Sequence, residues 1–146
     1  MHETKRDTVF RADDDAVMAL GRKVLEIESE AVAALAQRLD ASFVAAVRAI
    51  LDAPGRVIVT GVGKSGHVAR KIAATFASTG TPAYFVHASE AAHGDLGMIA
   101  QGDVVLALSY SGSSDEILTI APTIKRLGVR MIAMTGRPAL ASRIFR

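Results

Sequence analysis

Two short turns hold the side chains whose types and spacing could do chemistry. The first is Gly61-Val62-Gly63-Lys64-Ser65-Gly66, between the β-branched run Val57-Ile58-Val59 and a helical stripe at Ala69, Ile72, Ala73 and Phe76. Strand, glycine-rich turn and helix start together form an anion cradle, because free backbone N–H groups and the positive helix end face one point. Lys64 sharpens the reading, since a cation at a helix start is misplaced unless an anion sits there too. Ser65 takes the N-cap position in this reading. The second turn, Ser109-Tyr110-Ser111-Gly112-Ser113-Ser114, follows another buried-strand run, Asp103–Ser109. Its hydroxyls are neutral donors that orient a phosphate without a permanent ion pair, while Lys64 supplies the charge. The two turns make a phosphate site.

Other motifs compete for the same letters. Gly61–Gly66 fits G-x-G-x-x-G, the dinucleotide fingerprint, which wants an acid at the end of the second strand. That strand, Ala83-Tyr84-Phe85-Val86, ends at His87, and the first acid is Glu90. The dinucleotide reading therefore ranks second. Gly63-Lys64-Ser65 imitates the end of a Walker A loop, whose first glycine would fall on Ile58, so that motif fails. Ser113-x-x-Glu116 also reads as a capping box, which would satisfy two helix-start donors with no catalysis. Lys64 has a bland alternative as a solvated lysine, and His67 falls on the new helix's first turn, outside the chemistry. His87, Glu90, His93 and Asp95 have no recognised ligand spacing, so no metal is expected and His93 is placed on the crevice wall instead.

Composition removes several classes. The chain has 146 residues, enough for one domain with a real core, half of them hydrophobic and 5% aromatic. A formal net charge of +2 argues for neither nucleic acid nor a membrane surface as partner. The longest apolar run, Ala31–Ala36, is far short of a membrane span, and no signal-peptide pattern is present. Zero cysteines exclude disulfides, thiolate metal sites and a cysteine nucleophile, and the cytoplasm is the default location.

The elements that must position the turns follow in order. Residues 1–12 are polar. Asp13-Asp14-Asp15 opens a helix of about seven turns striped by Val17, Leu20, Val24, Ile27, Ala31, Leu35 and Leu39. A second helix, about Ser42 to Asp52, turns Phe43, Val47 and Ile50 inward and stops at Pro54-Gly55. Residues 87–102 read as a long functional connection. A helix striped by Ile117, Ile120, Ile124 and Leu127 runs to Gly128, Arg130–Thr135 is a fourth strand, and Pro138 takes the first position of a last helix. Alternating strands and helices give a three-layer α/β/α parallel sheet in flavodoxin-like order 2-1-3-4, preceded by two N-terminal helices. In that order the two turns leave neighbouring strands at the switch point, where open α/β sheets bind ligands.

The segments GVGKSGHVARKIAATFASTG, FVHASEAAHGDLGM and SYSGSSDEI closely resemble the sugar isomerase (SIS) domain of the arabinose 5-phosphate isomerase family. The resemblance runs from about residue 15 to the C-terminus. It implies interconversion of D-arabinose 5-phosphate and D-ribulose 5-phosphate through an enediolate, feeding 3-deoxy-D-manno-octulosonate and lipopolysaccharide synthesis, with no cofactor and in a homo-oligomer, a tetramer or dimer. By motif it assigns Lys64 and Glu116 as catalytic. It gives Gly63, Ser65, Ser109, Ser111, Gly112 and Ser114 to the phosphate, with His93 lining the crevice. Where the family reads S-N-S-G-E, this chain has Tyr110 and Ser113 in place of the Asn and the Glu. The resemblance stops before the family's fifth strand, a later catalytic Glu, the S-H-P-G-G segment with its catalytic His, and the paired regulatory domains. Residues 1–146 are thus expected to form an incomplete SIS domain. The rival readings are a non-catalytic sugar-phosphate-binding module and a dinucleotide-binding domain.

Overall fold

The computed structural model describes residues 13–145, and the chain divides into two compact units between Phe43 and Val44. The first unit holds helix α1 (Asp14–Leu35), capped by the Asp13 carboxylate on the Asp15 N–H and followed by a 3₁₀ turn, Ala36–Arg38. The helix is one turn shorter than its sequence pattern suggests, because the last turn tightens before Leu39 becomes extended. No residue of α1 is buried, and its whole apolar stripe is exposed. Asp40 starts helix α2 (Ala41–Leu51): its carboxylate accepts from the Ser42 and Phe43 N–H groups at 2.8 and 3.4 Å. The Ser42 hydroxyl donates to the same carboxylate oxygen, and this bond foremost, with the two N–H bonds, holds the Asp40 carboxyl below its usual range.

The second unit is a parallel four-stranded sheet in the order β2-β1-β3-β4, as the sequence indicated. Its strands are β1 (Val57–Gly61), β2 (Ala83–His87), β3 (Val104–Leu108) and β4 (Arg130–Met134). Between and after them come α3 (Gly63–Ser78), α4 (Ala88–Ala92), α5 (Asp115–Arg126) and α6 (Pro138–Phe145). The continuous apolar runs of β1 and β3 are explained by position: every residue of both strands is buried, because helices cover both faces. Ile58, Val86, Val105 and Ala107 pack on one face against Ile117, Ile120 and Ile124 of α5 and the alanines of α4. Val57, Val59, Val104 and Leu106 pack on the other against Ala69 and Ala73 of α3. Each fully buried isoleucine is worth about 2–3 kcal/mol. The sheet's edge strand β4 is far less covered, with Ala133 and Met134 exposed.

Three packing expectations change. Only Ile50 and Ala53, at the end of α2, reach the sheet, while Phe43 and Val47 stay exposed. Leu127 is exposed too, since α5 ends at Arg126 and Gly128 turns away with φ of 71°. Residues 87–102 are not one long loop. Ala88 and Ala91 are buried on the short helix α4, and a 3₁₀ turn, Asp95–Met98, carries the chain back to β3.

That return is pinned by Asp103, which is buried where β3 begins. Its carboxylate accepts from the Arg56 N–H at 2.8 Å, the Ala100 N–H at 2.9 Å and the Arg56 guanidinium at 3.4 Å. The same guanidinium donates to the Met98 carbonyl at 3.1 Å and lies 4.9 Å from the centre of the Tyr84 ring. Gly55 is required here: a Cβ would fall 2.4 Å from the carboxylate and 2.7 Å from the Gly102 backbone. Burial pushes the Asp103 carboxyl up, but these donors and the Arg56 charge outweigh it and hold it below the usual range. Asp103→Asn should therefore cost about 2–4 kcal/mol at pH 7, as an Arg56 half-exposed to water softens the loss. The depressed carboxyl stabilises the fold above the ordinary Asp value of about 3.9 and loses that stabilisation as pH falls through its lower folded value. Urea melts of wild type and variant at pH 7 and pH 3 should converge at the acid end; an equal gap at both pH values refutes the assignment.

Candidate functional site

Gly61 ends β1, Val62 is extended, and Gly63 turns the chain with φ of 56°, so that α3 begins two residues before the expected Ser65 cap. Val62, not Ser65, is the N-cap, and it offers no side-chain bond. Lys64 and Ser65 already lie in the first helical turn, and the first α3 bond runs from the Gly66 N–H to the Val62 carbonyl at 3.2 Å. The N–H groups of Gly63, Lys64 and Ser65 thus stand outside the helix's own ladder, at the positive end of its dipole. Lys64 and His67 are exposed, and Ser65 is half-buried. Two glycines make the turn tight. A Cβ on Gly66 would lie 3.0 Å from the Gly61 oxygen, and one on Gly61 would lie 3.0 Å from the Ser65 backbone.

The serine turn is braced from within. Ser109 is only 6% exposed; its Oγ shares a 2.8 Å hydrogen bond with Ser114 Oγ and accepts from the Gly112 N–H at 3.2 Å. Ser111 Oγ accepts from the Ser113 N–H at 3.3 Å, and Gly112 takes the left-handed φ of 68° that closes the turn. Ser114 is the N-cap of α5, but its hydroxyl bonds Ser109 instead of its own helix. The Ser113/Glu116 capping box is therefore not formed. The cap falls one residue later than the box requires, which puts Glu116 second in the helix, half-buried, with Asp115 before it.

Sheet register aligns the two turns. Gly61 pairs with Leu108, so both turns leave the carboxyl ends of adjacent central strands. His93 is exposed at the C-terminal end of α4, beyond β2. His87 caps α4 by accepting the Ser89 N–H on Nδ1 at 3.3 Å, with its ring edge-on to Phe85. Among the described residues no group of three or more His, Asp or Glu is arranged to share a metal ion. No described helix is long and apolar enough to cross a membrane.

Two features near the turns escape sequence reasoning. Tyr110 packs its ring on Gly136, a contact between residues 26 apart with no local signal. Thr60, next to Gly61, is 2% exposed and its Oγ1 has no hydrogen-bond partner among the described residues. Thr60→Val keeps the shape and removes a buried orphan hydroxyl, so it should raise stability by about 1 kcal/mol. A destabilised variant in a urea melt would show that the hydroxyl has a partner after all.

The SIS domain model matches residues 49–140, which include both turns and all four strands. Over 117 residues the chain is 56% identical to the arabinose 5-phosphate isomerase KdsD of Pseudomonas aeruginosa, covering 80% of this chain and 36% of that protein. The Escherichia coli K12 enzyme of the same name is 54% identical over 118 residues, again 36% of its length. The chain thus spans about a third of the length of these curated relatives. Among solved structures, E. coli CFT073 c3406 in complex with arabinose 5-phosphate superposes with a TM-score of 0.83 at 41% identity, covering 89% of this chain and 70% of that one. The phosphoheptose isomerase GmhA of Neisseria gonorrhoeae, 20% identical with a TM-score of 0.69, shares the fold. The strand order, the paired turns and these matches agree, and the chain belongs to the SIS domain family.

Proposed function

We propose that this chain carries the sugar-phosphate site of an aldose–ketose isomerase. Its substrates would be D-arabinose 5-phosphate and D-ribulose 5-phosphate, its setting the cytoplasm, and its product destined for 3-deoxy-D-manno-octulosonate and lipopolysaccharide synthesis. The observation that carries the proposal is the pairing of the braced serine turn with the Lys64 turn on adjacent central strands. Support comes from the identity to KdsD enzymes and from the likeness to c3406, whose complex holds arabinose 5-phosphate. In this reading Ser65, Ser109, Ser111 and Ser114 hold the phosphate with the Gly63 and Gly112 backbones. Glu116 moves the proton between C1 and C2, and Lys64 stabilises the oxyanion that develops. His93 borders the sugar end. No redox cofactor takes part, because the proton and electron pair stay within one carbon chain.

The same reading makes the chain part of a homo-oligomer, a tetramer or dimer. The exposed stripe Val17, Leu20, Val24 and Ile27 supports a covered face on α1. The dinucleotide alternative loses support, because His87 ends β2 with its ring nitrogen engaged at Ser89 and Glu90 is exposed on α4. A sugar-phosphate module without turnover stays in competition for one reason. Lys64 and His93 are both exposed, so within the described residues neither is sheltered from water as an enediolate requires. Calorimetric titration with arabinose 5-phosphate and with NAD separates the ligand classes, and an isomerase assay separates enzyme from module. Tight NAD binding without sugar-phosphate binding sinks the proposal.

A further inference from the structure

Tyr110 stands inside the serine turn, an aromatic ring among hydroxyls. It is 78% exposed, yet its position is fixed. The Ser109 N–H donates to the Met134 carbonyl at 3.0 Å, and the Gly136 N–H donates to the Tyr110 carbonyl at 3.2 Å. The residue is thereby tied to the carboxyl end of β4. Its ring lies flush on Gly136: a Cβ there would sit 2.8 and 3.0 Å from Cε2 and Cδ2. One side of the ring is seated on backbone and the rest is open to solvent.

The sheet order gives this placement a direction. β3 lies between β1 and β4, so the Lys64 turn flanks the serine turn on one side and the Tyr110–Gly136 pair flanks it on the other. On the β1 side of the serine turn stands the Lys64 turn, with Lys64 exposed to solvent. Toward β4 the space is taken by a phenol ring that cannot sink, because Gly136 is already in contact with it. We propose that Tyr110 is a specificity-determining wall. It turns the carbon chain of a bound sugar phosphate toward Lys64 and rejects sugars too bulky to fit on the β1 side alone. The wall rests on the sugar-phosphate reading above and deepens it, because it names chain length as what the site measures.

Calorimetry with inorganic phosphate, arabinose 5-phosphate and glucose 6-phosphate tests the wall in the wild-type chain and three variants. Tyr110→Ala should leave inorganic phosphate affinity within about twofold and reduce the preference for the pentose over the hexose about tenfold, the scale set by small steric differences in a pocket. Tyr110→Phe keeps the bulk and should keep the wild-type preference. Gly136 has no left-handed φ, so alanine fits its torsion angles; its Cβ would meet the ring at 2.8 Å and the Tyr110 carbonyl oxygen at 3.2 Å, and should displace the ring, lowering the preference as Tyr110→Ala does. Gly136→Ala thereby keeps the test decisive if Tyr110→Ala disturbs folding. An unchanged preference in Tyr110→Ala, or a loss in Tyr110→Phe as large as in the alanine variant, overturns the wall while leaving the site's function standing. A wild-type chain that binds inorganic phosphate and neither sugar phosphate overturns both.

Discussion

On the isomerase reading proposed above, replacing Glu116 with glutamine in the full-length enzyme should cut turnover by about 10²–10⁴-fold while leaving thermal stability nearly unchanged. The stability half of this expectation follows from the first turn of α5. Ser114 is the cap and makes no side-chain bond to the helix, so Glu116 holds no reciprocal capping bond that a substitution would break. Losing one negative charge near the helix's positive end costs about 0.3–1 kcal/mol. The turnover half follows from chemistry, since an amide has no basic oxygen for the C1–C2 proton. Lys64→Ala is the companion variant and should lower turnover too, because it removes the charge proposed to meet the oxyanion; stability should hold, because Lys64 sits exposed in the first turn of α3. Steady-state kinetics beside thermal melts check both. Unchanged turnover in Glu116→Gln removes that residue as the base and shifts the search to His67 or His93.

The second large effect is expected at Gly66. A valine there must place its Cβ 3.0 Å from the Gly61 carbonyl, with two further methyls beyond it, against a strand whose every residue is buried. The strand end cannot retreat without breaking its pairing with β2 and β3. Overpacking of this kind costs about 1–3 kcal/mol. The greater loss should be in binding, because prising β1 from α3 turns the Gly63, Lys64 and Ser65 N–H groups away from a common point. Inorganic phosphate affinity should fall at least about tenfold, equivalent to about 1.4 kcal/mol. The control is Gly21→Ala, where a Cβ meets nothing within 4 Å and the helix should gain about 0.4–1 kcal/mol. Wild-type phosphate binding in Gly66→Val would show that the Gly61–Gly66 approach serves packing only.

Much of the architecture was legible because its signals are local. The Val57–Val59 and Val104–Leu108 runs are buried on both faces, and their neighbours in sequence alternate as crossover helices must, so the parallel sheet followed from pattern, and the flavodoxin-like order 2-1-3-4 expected for it is the one observed. Boundaries failed where two local rules compete. Ser65 satisfied the N-cap preference, but Gly63 could adopt a left-handed φ and start the helix sooner. Ser113 and Glu116 had box spacing, but Ser114 gained a better partner in buried Ser109. The alanine pair in α4 was too weakly hydrophobic to reveal a helix of one turn and a half. Asp103 was invisible for a different reason: its partner Arg56, 47 residues away, is brought to it by the fold, and no spacing in the sequence announces the pair.

The Asp103 knot and the two turns occupy opposite ends of the same strands. Five residues of β3 separate them, roughly 16 Å at strand rise, beyond the distance at which substitutions usually influence one another. The fold therefore keeps its mechanical anchor apart from its chemistry when the sequence changes. Drift at Ser111 or Ser113 leaves the bonds between Arg56 and Asp103 untouched, so new ligands can be explored without a compensating stabiliser. A library randomised at Ser111 and Ser113 should retain the wild-type unfolding transition in most of its members, and one randomised at Arg56 and Asp103 should not. On this sheet, adaptability is a property of the exposed and half-buried positions of the serine turn.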